Sequence, residues 1–165
     1  MASLQRLADE FDHEAAVTRK MLERLPDARF GWRPHPKSFT AGDLACHIVE
    51  SVGWARTILT AVEFDVDPAT YRPFAATSQE ALLDGLDRAA DAGRTAFAAA
   101  SEAALDEPWR LLIRGRPRWS KPREVVLRDF TFSHVAHHRG QFSVYLRLLE
   151  LPVPGAYGPS ADEMS

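Results

Sequence analysis

Two histidines, His134 and His138, stand four residues apart, and a third, His47, lies far upstream. On a helix, positions i and i+4 fall on one side, a turn apart. Two imidazoles so placed can meet one metal ion, and a third from a facing helix completes a cap of three nitrogens. Zinc and its divalent neighbours accept such a cap and keep positions free for water or substrate. The alternative is a set of ordinary core histidines, bonded to Ser51, Gln141 or backbone. Each neutral ring brings one donor and one acceptor, and burying three together is costly unless these find partners.

Neighbouring residues exclude several other chemistries. Position 135 is valine, so His134-Val-Ala-His137-His138 lacks the glutamate base of HExxH proteases. No glutamate stands three residues before His47, His134 or His138, so the di-iron carboxylate pattern is missing. Asp43 occupies the position where Cys46-His47 would need a second cysteine for covalent haem attachment. No P-loop or GxGxxG is present. The lone Cys46 rules out a disulfide framework and a Cys-only zinc site; it reads as a small buried residue, not a nucleophile. Of the other histidines, His13 falls opposite the apolar face of its helix and reads as solvated. His35 lies in a proline-rich loop and carries no signal, and His137 sits at the edge of the core stripe, either beside the ligands or simply on the surface.

These residues need elements to position them. Leu4, Leu7, Ala8, Phe11, Ala15, Thr18, Leu22 and Leu25 follow helical spacing, which predicts a helix over 3–25. Thr40-Ala-Gly-Asp43 has the form of a capping box and opens a helix over 41–61. Ser78 is the N-cap of a third over 79–101, and a fourth covers 121–150, with Pro122 in its first turn. Its projected core stripe is Leu127, Phe130, Thr131, His134, His138, Gln141, Tyr145, Leu148 and Leu149. The stripe of the second helix is Leu44, His47, Ser51, Trp54, Ile58 and Val62. The segment 107–120, broken by Pro108, Gly115 and Pro117, reads as a short hairpin or irregular excursion. The expected architecture is all-α: a four-helix bundle with long connections, forming one domain over 1–165.

Composition narrows the function classes. The chain has 165 residues, 45% hydrophobic and 26% charged, as a globular protein should. Twenty Lys+Arg against 23 Asp+Glu leave a net charge of −3, which argues against a dedicated nucleic-acid binder. The one basic run, Arg110, Arg114, Arg116, Arg118, Lys121 and Arg123, either binds an anion or is a solvated excursion. No apolar run is long enough for a membrane span, and no signal-peptide core opens the chain, so a cytoplasmic location is expected.

The segments Phe39-Thr-Ala-Gly-Asp-Leu-Ala-Cys-His47-Ile-Val-Glu50 and Ser133-His-Val-Ala-His-His-Arg-Gly-Gln-Phe142 resemble those of the DinB/YfiT-like superfamily. The closing Leu151-Pro-Val-Pro-Gly-Ala-Tyr-Gly158 is similar to the superfamily's C-terminal turn. The resemblance implies an up-down-down-up bundle holding a divalent metal, zinc or nickel, on His47, His134 and His138. It also implies a homodimer and, in some relatives, transfer of a low-molecular-weight thiol such as bacillithiol or a mycothiol-dependent isomerisation. Other relatives are named for induction by DNA damage.

Three hypotheses follow. One is a metal-dependent transferase that activates a low-molecular-weight thiol for attack on an electrophile, since a coordinating thiol is deprotonated. Another is a metal-dependent hydrolase using bound hydroxide. The last is a non-catalytic stress-response or binding module with a structural metal. No residue stands out as a general base. Tyr145 either orients a ligand or is a core tyrosine with its hydroxyl at an edge. Gln141 bonds either a ligand or a histidine ring. Arg139 is expected to face away from the ligands, and Gly140 to permit a close helix contact.

Overall fold

The computed structural model describes residues 3–164. Helix α1 (Leu4–Leu22) starts at Ser3, whose Oγ accepts from the Arg6 amide at 3.3 Å. Its buried face includes Leu7, Phe11, Ala15, Thr18 and Leu22, at the spacing expected. Helix α2 (Ala41–Thr60) is capped by Thr40, whose Oγ1 accepts from the Asp43 amide at 3.0 Å. Helix α3 (Gln79–Ala99) is capped by Ser78. It packs on both α1 and α2.

The structure also contains a small sheet, which corrects the all-α expectation. Strands β1 (Glu63–Val66), β2 (Pro108–Ile113) and β3 (Arg116–Pro122) lie in the order β1-β2-β3. β2 and β3 form the hairpin that the proline-interrupted segment allowed. Arg114 and Gly115, with φ of 51° and 72°, make its tight turn. β1 pairs in parallel with β2, from Glu63 opposite Arg110 to Val66 opposite Ile113. A four-residue strand whose partner lies more than forty positions along the chain leaves no local periodicity to read.

The basic run divides by partner. Arg123 is buried, at 5% exposure, and donates to the carbonyls of Ile58 and Ala61 at the end of α2. It thereby serves carbonyls that a helix end leaves without an intrahelical partner. Arg110 pairs with Glu63 at 2.5 Å and Lys121 with Asp129 at 2.7 Å. Arg114, Arg116 and Arg118 are exposed on the hairpin.

The last long helix is a composite. α4 (Arg123–Val126) runs into a π-helical segment, Leu127–Ser133, and then into α5 (His134–Leu148). A π turn holds an extra residue, so everything after it lags an α-helical projection by one position. The buried residues of α5 are accordingly Val135, Arg139, Phe142 and Leu146. This corrects the projected stripe: Leu148 is 55% exposed, and His134, His138, Gln141 and Tyr145 lie beside the buried face rather than along its centre. Val62, taken as core, lies beyond α2 and is 62% exposed. Gly140 is exposed, and a Cβ added there would meet nothing within 4 Å, so it mediates no close helix contact.

Arg139 does face away from the histidines, and it is buried to 2% exposure. It donates to the Glu14 carboxylate at 2.5 Å, to the Glu14 carbonyl at 3.1 Å and to Thr18 Oγ1 at 3.2 Å. It also donates to the Tyr157 hydroxyl, so one guanidinium fastens both α1 and the C-terminal turn to α5. Among the described residues, no helix is long and apolar enough to cross a membrane.

Candidate metal centre

One face of α2 carries Asp43, His47, Glu50 and Trp54 at helical spacing, and α5 brings His134 and His138 against it. Nε2 of His47 lies 3.0 Å from Nε2 of His134, and Nε2 of His138 lies 2.9 Å from that same atom. All three ligand atoms fall within 4.8 Å of one another, and the three histidines could together hold a metal ion.

The outward nitrogens show which ring atoms are free. His47 Nδ1 faces Glu50 Oε2 at 3.3 Å, and His138 Nδ1 faces Gln141 Oε1 at 2.8 Å. Both partners are acceptors, so they favour the tautomer with the proton on Nδ1, in which the Nε2 lone pair is free. These two lone pairs aim at the Nε2 of His134. A single proton on His134 can serve only one of them, whereas a cation among the three serves all.

The spacing also suits a metal. Two nitrogens at about 2.1 Å from a shared tetrahedral ion would stand about 3.4 Å apart, so separations of 3.0 and 2.9 Å need open by only a few tenths of an ångström to admit one. The His134 ring is held neutral, its pKa brought down to about 4, chiefly by burial and then by the adjoining His138 and His47. Burial likewise lowers His138, against the pull of its bond to Gln141. Neutral imidazoles are the form that binds metal.

Two residues that sequence reasoning did not assign a role complete the site. Glu50 accepts from His47 through Oε2, and its other oxygen accepts from the Tyr71 hydroxyl. Burial pushes the Glu50 carboxyl up, but the bonds to His47 and Tyr71 outweigh it and hold it below its usual range. Tyr71 is raised by burial and by Glu50, so it stays a protonated donor. The i, i+3 spacing of His47 and Glu50 on one helix was the available signal for the first contact. Tyr71 comes from the loop between β1 and α3 and had no local signal.

That loop also closes a cavity of about 540 Å³, lined by both His47 and His134. Phe74 forms part of its wall and packs against Gly85, where a Cβ would stand 2.2 Å from Phe74 Cζ. Trp54 and Phe130 stack with centroids 5.7 Å apart, and the Phe130 ring also stacks on His134. Cys46 is buried; its Sγ accepts from the Ala76 amide at 3.2 Å. Burial, with Asp43 and Glu50 nearby, pushes the thiol up, in keeping with an inert role.

The remaining residues singled out earlier lie around this centre. Gln141 bonds the His138 ring, one of its two expected roles. The Tyr145 hydroxyl donates to the Phe39 carbonyl at 3.3 Å, and its ring meets Trp32 edge-on, so it anchors the loop that carries Phe39. His137 is exposed and touches His138 edge to face, with centroids 4.9 Å apart. His13 and His35 are exposed and lie apart from the three histidines.

Comparison with known proteins agrees with this architecture. The chain is 30% identical over 162 residues to the uncharacterized protein YrdA of Bacillus subtilis (strain 168), covering 98% of this chain and 92% of that one. A crystal structure of a DinB-like protein from Bacillus cereus ATCC 10987 superposes with a TM-score of 0.74 at 26% identity, covering 94% of this chain and 98% of the other. A second DinB-like structure, YjoA from Bacillus subtilis, has the same fold, with a TM-score of 0.67 at 19% identity over 89% of this chain and 95% of that one. The sequence profile of the DinB family matches residues 1–165, from one end of the chain to the other, and the chain belongs to that family.

Proposed function

We propose that this protein binds a divalent metal, zinc or nickel, and works as a metal-dependent transferase that activates a low-molecular-weight thiol for attack on an electrophile. The observation that carries this reading is the convergence of three imidazole nitrogens beside a cavity. Among the described residues, no further histidine, cysteine or carboxylate joins that group. A structural site would be closed by a fourth protein ligand, whereas a catalytic one leaves a position open.

When bound, a divalent metal would supply the positive charge that keeps a thiol deprotonated at neutral pH. The chain's own residues do the rest. His47, His134 and His138 would hold the ion without neutralising it. Glu50 and Gln141 fix the two ring orientations. Both oxygens of Glu50 are engaged, which leaves it poorly placed as a general base for water and favours thiol chemistry over hydrolysis. The sulfur–carbon bond forms as the carbon's bond to its leaving group breaks. That group departs with the electron pair, and the thiol's proton passes to solvent.

The test has two stages. Metal content of wild-type protein and of His47→Ala and His134→Ala, after exposure to zinc or nickel, examines the site. Equal, negligible metal in all three would remove it. Consumption of bacillithiol, mycothiol or glutathione with a panel of alkylating electrophiles examines the reaction. Metal-dependent thiol loss is expected; a metal-loaded protein that consumes none of these thiols would refute the transferase.

A further inference from the structure

The cavity beside the histidines has a chemical bias that metal binding alone does not require. Its walls are aromatic, with Phe39, Trp54, Phe74 and Phe130 around it. Its charged side chains are all acidic: Asp43 and Glu50 line it, two turns apart on α2, and neither lysine nor arginine does. Arg72, on the loop that closes the cavity, turns its guanidinium back to the carbonyls of Pro68, Ala69 and Tyr71.

In the metal-free protein, an anion entering this space would give up its hydration without gaining a lysine or arginine from these walls, and would meet two carboxylates. A flat apolar molecule gains aromatic contact and loses little. A cation gains attraction from Asp43 and Glu50 and from the aromatic faces. The volume, about 540 Å³, suits a small organic molecule. His138 does not line the cavity; its ring is turned to the exposed Gln141.

We infer that this cavity binds a flat aromatic small molecule, uncharged or cationic, and that in the metal-free protein it rejects anions of the same shape. As the seat of the transferase's electrophile the assignment rests on the function proposed above; as a cavity with this selectivity it does not.

Three probes of one shape test it: 1-naphthylmethanol, 1-naphthylmethylamine and 1-naphthoate, titrated by calorimetry into metal-free protein at pH 7.5. The alcohol and the amine should bind, and the naphthoate at least tenfold more weakly. Phe74→Ala should weaken the alcohol at least fivefold. Because Phe74 also packs on Gly85, a second variant that keeps the cavity's shape is needed. Asp43→Asn with Glu50→Gln should bring naphthoate to within threefold of the alcohol. Equal binding of all three probes by wild type, binding of none, or a double variant that still rejects naphthoate would each overturn the assignment. Repeating the series with zinc keeps the two readings apart. If zinc fails to bind by direct titration, the metal site falls while the selectivity measured without metal stands.

Discussion

Removing the partner that orients His47 should weaken metal binding by an amount the geometry bounds. Glu50 takes the proton of His47 Nδ1 at 3.3 Å, and Tyr71 steadies the carboxylate from the far side. Loss of such a partner of a metal-bound histidine typically costs 10–100-fold in metal affinity, about 1.4–2.7 kcal/mol. The contact is long and the His47 side chain is 30% exposed, so the lower end applies to a mild change. Glu50→Gln keeps an oxygen acceptor and loses the charge; its Kd for zinc should rise about tenfold. Glu50→Ala loses both and should approach a hundredfold, while Tyr71→Phe should raise Kd by about two- to fivefold. Competition titration against a chelating dye at pH 7.5 measures all three. The Tm of the metal-free proteins, measured in parallel, separates an effect on the ion from an effect on folding. If Glu50→Ala binds zinc within twofold of wild type, the carboxylate does not orient His47 and the reasoning fails.

Other outcomes follow from the same structure. The native His134 ring titrates at about 4 against an ordinary 6.5, so between those values the unfolded chain takes up a proton that the native one refuses. Metal-free protein should therefore lose stability as pH falls from 6.5 toward 4, and His134→Gln should lose less; parallel melting curves for the two from pH 7 to 5 would contradict this. Glu14→Ala leaves the Arg139 guanidinium, 2% exposed, without its charge partner. The cost is about 3–5 kcal/mol, a fall in Tm of roughly 6–20 °C by thermal melting. Gly85→Ala places a methyl 2.2 Å from Phe74 Cζ. It should cost about 1–3 kcal/mol in chemical denaturation and weaken naphthylmethanol binding as Phe74 is driven from the wall.

What could be read from the sequence was what repeats locally. The 3,4 spacing of Leu7, Phe11, Ala15, Thr18 and Leu22 is visible in any window of α1, and Thr40 and Ser78 mark helix starts by their own chemistry. The three histidines were separable from the other three by helical face, because His134 and His138 stand a turn apart on one side of α5, although they lie beside its buried face and not at the centre of the projected stripe. The site's remaining parts depend on distance along the chain. Tyr71 meets Glu50 from twenty-one residues away, across a loop with no periodicity. β1 pairs with β2 across the whole of α3 in sequence. The position of Arg139 was half legible: its direction followed from helical geometry, but its burial required knowing that Glu14, 125 residues away, would be there to receive it.

The π segment bears on how this helix can change length. It behaves as one inserted residue that the helix absorbs locally instead of passing the rotation on to α5. Deleting a single residue between 127 and 133 should let the segment relax to ordinary α-helix while His134 and His138 keep their places, because the slack disappears with the residue. The same deletion a few positions later, inside α5, has no slack to consume. It would turn everything beyond it by about 100° and swing the wrong side chains toward the cavity. Tolerance to deletion should therefore be confined to the stretch just before His134, and length variation among relatives in this helix should collect there.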